Sequence, residues 1–124
     1  MEPITKDLIS VLSELITLLE SDGEVHWARW MRISKSRLEA SDFSGITHLL
    51  GAYGGMGSFN DLTICQRMKN GKFEWADGHV EKNERLTNMR SKAWELADAI
   101  KRSQTRQAPN IGASHYLDRF LSEE

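Results

Sequence analysis

The chain has 124 residues, a formal net charge of −2, 40 % hydrophobic and 27 % charged residues. That length and balance suit one globular domain over residues 1–124 and exclude a mainly disordered chain. The weakly acidic balance disfavours non-specific nucleic-acid binding, which needs basic patches, and no apolar stretch approaches a membrane span.

The first helix is the clearest element. Pro3 suits a first helical turn, where its missing N–H costs nothing. Ile4, Leu8, Val11, Leu12, Leu15, Ile16, Leu18 and Leu19 then form a wide apolar stripe. Ser21-Asp22-Gly23 ends it, with Gly23 free to take the left-handed cap. A second helix is expected from Glu24 to Ile33, with Trp27, Trp30 and Met31 on one face, and a kink near Ser34-Lys35-Ser36 before any extension to Leu38. Asp42 reads as the N-cap of a third helix. Its stripe is Phe43, Ile46, Leu49, Leu50 and Tyr53, it stops at Gly54-Gly55, and it is expected near the centre of the core.

Residues 54–61, Gly-Gly-Met-Gly-Ser-Phe-Asn-Asp, cannot be a stable helix interior and read as a tight, structured loop. The stretch from Leu62 to Asp77 has two readings. In the favoured one Asn70-Gly71 turns a β-hairpin, with Met68 opposite Phe73 and Arg67 opposite Glu74. In the other, a helix runs from Ser58 to Met68 with Ser58 and Asp61 as its capping pair. A last long helix is expected from Lys82 to Ser103, striped by Leu86, Met89, Ala93, Leu96, Ala97 and Ile100 with Trp94 beside it. Ser103 to Ser114 reads as a loop holding part of the basic cluster Lys101, Arg102 and Arg106. His115 to Leu121 reads as a short closing helix. The fold class expected is mainly α, a bundle of four to five helices with a short β-hairpin around residues 62–75.

One cysteine, Cys65, excludes an internal disulfide and a cysteine-rich zinc site, and makes a reducing compartment the simplest setting. The start Met1-Glu2-Pro3 lacks a basic n-region, so no secretory signal is expected and the cytoplasm is the expected location. His26, His48, His79 and His115 show no helical metal-ligand spacing; no metal and no cofactor is expected. Cys65 reads as a small buried thiol rather than a nucleophile. Trp27, Trp30 and Met31 read as core before they read as a ligand pocket. Trp75, in a polar setting, is a candidate binding hot spot, ringed by Glu74, Asp77, Glu81 and Glu84 and interrupted by Lys82 and Arg85. The glycine-rich loop offers a backbone nest with Ser58, Asn60 and Asp61 as side-chain contacts. It carries no Gly-Lys-Ser/Thr ending. The plainer reading is a sharp turn whose glycines let the third helix pass close to the next element.

The run Trp27-Ala28-Arg29-Trp30, then residues 45–62 with the string Gly54-Gly55-Met56-Gly57-Ser58-Phe59-Asn60-Asp61, resembles a family of small bacterial proteins of unknown function. The resemblance covers about Leu8 to Leu62 and returns weakly in the last long helix. It implies a bacterial, compact, mainly helical protein and supplies no catalytic residues. Small bacterial proteins of this kind are often immunity proteins, which neutralise a toxin made by the same cell. The leading expectation is therefore a non-catalytic binding module that contacts a cognate protein toxin through Ser58, Asn60, Asp61, Glu74, Trp75 and Asp77, with neither nucleic acid nor membrane as partner. The alternatives are a ligand binder or enzyme built on the glycine-rich loop, with Asp61 near His48 or His79, and a homodimer or regulatory oligomer joined through the first helix.

Overall fold

The computed structural model describes residues 1–107. Four helices, a 3₁₀ turn at Phe59–Asp61 and a two-stranded hairpin follow in chain order: α1 (Pro3–Ser21), α2 (Val25–Glu39), α3 (Ser44–Leu50), β1 (Gln66–Lys69), β2 (Lys72–Trp75) and α4 (His79–Gln107). The expected fold class is observed. The closing helix expected at 115–121 lies outside the described residues.

α1 starts on Pro3 and buries Leu8, Leu12, Leu15, Ile16, Leu18 and Leu19. It packs on both α2 and α4. Those six residues of the wide stripe are buried within the chain itself, and Ile4 and Val11 are partly buried. Gly23, at φ 78°, caps the helix: its N–H donates to the Glu20 carbonyl and that of Glu24 to Leu19, the paired closure of a left-handed C-cap.

α2 runs unbroken to Glu39, without the expected kink. Ser34 is fully buried inside it. Its hydroxyl lies 3.2 Å from the Trp30 carbonyl and 2.8 Å from His48 Nδ1, so the polar group is satisfied and the helix has no reason to open. The turn to α3 repeats the closure of α1, with Ser41 at φ 58° and the Asp42 N–H on the Arg37 carbonyl. Asp42 Oδ1 then accepts the Ser44 N–H at 3.0 Å. Hydrogen bonding from the Ser44 side chain, then from its backbone N–H, with help from the charge of Arg37, holds the Asp42 carboxyl below the ordinary carboxylate value.

α3 is shorter than expected and ends at Leu50, three residues before Tyr53. Its contact with α2 is made at Gly45, where an added Cβ would sit 2.9 Å from the Ser34 carbonyl oxygen, 3.0 Å from Leu38 Cγ and 3.1 Å from Arg37 Cβ. This is the close approach that the sequence reading assigned to Gly54, Gly55 and Gly57. Those three have no atom within 4 Å of an added Cβ and serve a different need, positive φ values of 97°, 83° and 78°. α4 begins at His79 and continues through Gln107, so residues 103–107 extend the helix where a loop was expected. Lys101, Arg102 and Arg106 lie within the helix for the same reason.

The α2–α3 crossing gives a direct stability test. Gly45→Ala should lower the unfolding free energy by up to about 2 kcal/mol in urea denaturation: overpacking against a backbone carbonyl, which cannot yield as a side-chain tip can, costs about 1–3 kcal/mol, and the helix-propensity gain of about 1 kcal/mol offsets part of it. An unchanged midpoint would show that the two helices can separate freely.

Candidate functional site

The hairpin forms with the register expected: Gln66 opposite Trp75, Arg67 opposite Glu74, Met68 opposite Phe73 and Lys69 opposite Lys72. Asn70 and Gly71 turn the chain at φ 54° and 76°, the handedness of a two-residue hairpin loop. The rival helix over Ser58–Met68 does not form.

The root of the hairpin is held from two sides. Asn83 on α4 accepts the Ile64 N–H at 2.9 Å and donates from Nδ2 to the Ile64 and His79 carbonyls at 3.0 and 2.8 Å. Asp22, at the end of α1, accepts the Cys65 N–H at 2.9 Å, and Arg67 approaches the same oxygen at 3.5 Å. The Cys65 carbonyl accepts the Ala76 N–H at 2.7 Å. Ile64 and Cys65 are buried, and Cys65 takes a φ of 70° that non-glycine residues rarely adopt. Burial, then the charge of Asp22, pushes the Cys65 thiol up. The group is held as a thiol, the opposite of what a nucleophile needs.

Beyond this root every residue of both strands is exposed. Side chains alternate along a strand, and directly opposed residues share a face. Gln66, Met68, Phe73 and Trp75 therefore line one face, and Arg67, Lys69, Lys72 and Glu74 the other. The first face carries Met68 at 71 % exposure, Phe73 at 52 % and Trp75 at 44 %, with Val80 at 62 % just beyond. Trp75 stacks on His79 with ring centroids 5.0 Å apart and meets the edge of Phe73 at 5.2 Å. Between Trp75 and α4 lies a cleft of about 500 Å³ lined by Thr63, His79, Val80, Asn83 and Thr87 among others.

The six residues expected to form one contact surface are divided. Trp75 lines the cleft, Glu74 faces away from it on the opposite side of β2, and Asp77 is exposed after the strand. In the glycine-rich loop, Asp61 Oδ2 accepts the Gly57 N–H at 2.8 Å and Ser58 Oγ accepts the Asn60 N–H at 3.2 Å. Phe59 is fully buried. Arg90 donates to the Phe59 and Leu62 carbonyls at 2.8 and 3.0 Å, and Tyr53 OH donates to the Arg90 carbonyl at 2.7 Å. Ser58 and Asp61 thus hold the loop's own backbone. Asn60 lines a separate cleft with Tyr53, Ser91, Trp94 and Glu95, about one helical turn along α4 from the first. Neither His48 nor His79 bonds to Asp61: His48 pairs with Ser34, and His79 with the Ala76 carbonyl.

Trp27 and Trp30 pack against each other at 5.6 Å, and Trp27 meets Phe59 at 5.3 Å. Trp30 Nε1 donates to the His48 carbonyl at 2.7 Å while its ring stacks on the His48 ring at 4.4 Å. These aromatics belong to the flank of the core. Among the described residues no group of three histidine, cysteine or acidic side chains is placed to hold a metal ion, and no helix is long and apolar enough to cross a membrane. Asn83 and Arg90 were not singled out by sequence, and Asp22 entered only as part of the helix stop; each acts on a partner far along the chain, so no local spacing marks its role.

His48 supplies a pH prediction. Partial burial, then the charge of Arg37, holds its imidazole below the ordinary value of 6.5. The unfolded chain therefore binds the proton more readily, and stability falls as pH drops from about 6.5 through the lower folded-state value. The melting temperature should decline over pH 7.5–5, and His48→Gln should remove part of that slope. Identical slopes for the two proteins would contradict the assignment.

Comparison with known families gives one match: residues 20–73 fit the model of a domain of unknown function, DUF6966. The matched stretch runs from the end of α1 through α2, α3 and the glycine-rich loop into the hairpin, so it holds Asp22, Gly45, Phe59 and Cys65 but neither Trp75 nor α4. No curated protein and no solved structure matches the chain. What the match supports is a family of unknown function, as the sequence resemblance implied.

Proposed function

We propose that this is a protein-binding module whose contact surface is the exposed face of the hairpin, centred on Trp75. The observation that carries the reading is a contradiction within the hairpin: its root is fixed by hydrogen bonds to the backbone of the buried Ile64 and Cys65, yet Met68, Phe73, Trp75 and neighbouring Val80 remain open to solvent. A cluster of exposed large apolar side chains is costly to leave in water and marks interaction surfaces more often than catalytic ones. Holding it rigid reduces the ordering cost of association. The tryptophan beside a cleft has the character of a binding hot spot.

The specific form of the proposal is a bacterial immunity protein that blocks a cognate toxin by covering its working surface. Its support is the small size, the resemblance to a family of small bacterial proteins and the net charge of −2, which favours encounter with a basic partner. Asp77, exposed just after β2, would steer that encounter at close range, and Glu74 on the opposite face of the strand only through its longer-range charge. Trp75 and Phe73 would supply most of the affinity.

The test uses the full chain as bait in a bacterial lysate, beside a Trp75→Ala variant. A captured protein should have a toxic activity that the purified wild-type chain suppresses. The variant should bind it at least about 30-fold more weakly, the scale of a hot-spot truncation. Because Trp75 is half exposed, the variant's melting temperature should stay close to that of the wild type. Equal binding by the variant would remove the hairpin from the contact, and a captured partner whose activity the chain leaves untouched would rule out the immunity role.

A further inference from the structure

The two hairpin edges differ in a way that the contact face does not explain. In an antiparallel pair, hydrogen-bonded and non-bonded positions alternate. The two-residue turn makes Lys69 and Lys72 a bonded pair. Arg67 with Glu74 follows, and the Ala76 N–H on the Cys65 carbonyl continues the phase. The backbone N–H and C=O groups of Phe73 and Trp75 therefore point outward from β2. The sheet has only these two strands among the described residues, so that edge has no strand against it.

We infer that two copies of this chain pair antiparallel along β2, with the two-fold axis at Phe73, to form a four-stranded sheet. This register follows from phase and charge together. With the axis at Phe73, the two Phe73 residues exchange both backbone hydrogen bonds, and Trp75 of each copy meets Gly71 of the other. Lys72 then stands opposite Glu74 of the second copy, twice, at the closely spaced positions where cross-strand side chains interact most. An axis at Glu74 or at Lys72 would use the same outward-pointing backbone groups but would oppose like charges at its centre. β1 cannot substitute. An axis at Met68 sets Arg67 against Lys69 of the second copy, twice, and basic side chains of this kind guard an edge against pairing.

The pairing goes beyond the proposed function and does not compete with it. Edge pairing leaves the faces open and brings Met68, Phe73 and Trp75 of both copies onto one continuous apolar surface. The strand is four residues long, so the dimer belongs to the weak, small-interface class.

Sedimentation equilibrium of the full chain, without any partner, tests this from micromolar concentrations up to about 1 mM, above the dissociation constant of a contact tighter than the millimolar range. The mass should rise from 14.1 kDa toward twice that value, and the Phe73 and Trp75 amides should exchange more slowly as concentration rises. Lys72→Glu is the discriminating variant. Within its own hairpin it faces Lys69 and converts a like-charge pair into an opposite one, so the hairpin is retained. In the dimer it faces Glu74 and should weaken association at least about tenfold. Mixing it with Glu74→Lys restores opposite charges at both positions and should recover association. A single-chain mass throughout, or a Lys72→Glu dimer as tight as the wild type, would overturn the inference. Because no partner is present, neither outcome decides whether the hairpin face binds a toxin.

Discussion

Asp22 and Asn83 grip the backbone of Ile64 and Cys65 from opposite sides, and the placement of everything between the glycine-rich loop and α4 depends on that grip. A two-stranded hairpin alone is marginal in water. Both strands here lie outside the core, so their faces supply almost no burial to hold them. Stability comes from the root. There two buried residues fix the chain, a carboxylate and a carboxamide satisfy the backbone N–H groups, and an unusual φ at Cys65 sets the direction in which β1 leaves. A buried donor left without its acceptor costs about 1–3 kcal/mol, enough to decide whether so small an element is formed.

A second fixed point lies one step earlier in the chain. Arg90 binds the carbonyls of Phe59 and Leu62, and Phe59 fills the space between Trp27 and Tyr53. The glycine-rich loop is thereby pinned at its aromatic end, and its glycines provide the left-handed turns that let Phe59 enter the core. α4 carries both Asn83 and Arg90, seven residues or about two turns apart. One helix therefore aligns the loop and the hairpin. The clefts beside Trp75 and Asn60 are successive hollows along it.

How much of this could be read from sequence depended on distance along the chain. The stripe of α1, its Gly23 stop and the hairpin register are set by neighbours within a few residues, and the sequence showed each of them. Asn70-Gly71 fixed the phase of the strands, so Met68 with Phe73 and Arg67 with Glu74 followed. Residues whose partners are remote were silent: Asp22 reaches 43 residues to Cys65, Arg90 reaches 31 to Phe59, and Asn83 reaches 19 to Ile64. Ser34 misled for a related reason. Its local signal suggests a broken helix, whereas His48, fourteen residues away, satisfies the hydroxyl within an unbroken one. Glu74 and Trp75 were grouped because they are adjacent in sequence, and the strand's alternation then sends them to opposite faces.

The central claim is that the apolar hairpin face is a preformed platform held by its root, and native-state hydrogen exchange of the free chain and of Asn83→Ala measures this most directly. The wild-type amides of Arg67, Lys69, Lys72, Glu74 and Ala76 should be protected. In the variant their protection should fall about 10- to 100-fold, the loss expected for one orphaned buried donor, while the α1 amides keep theirs. Hairpin amides that exchange freely in the wild type, or that are indifferent to the loss of Asn83, would contradict the account.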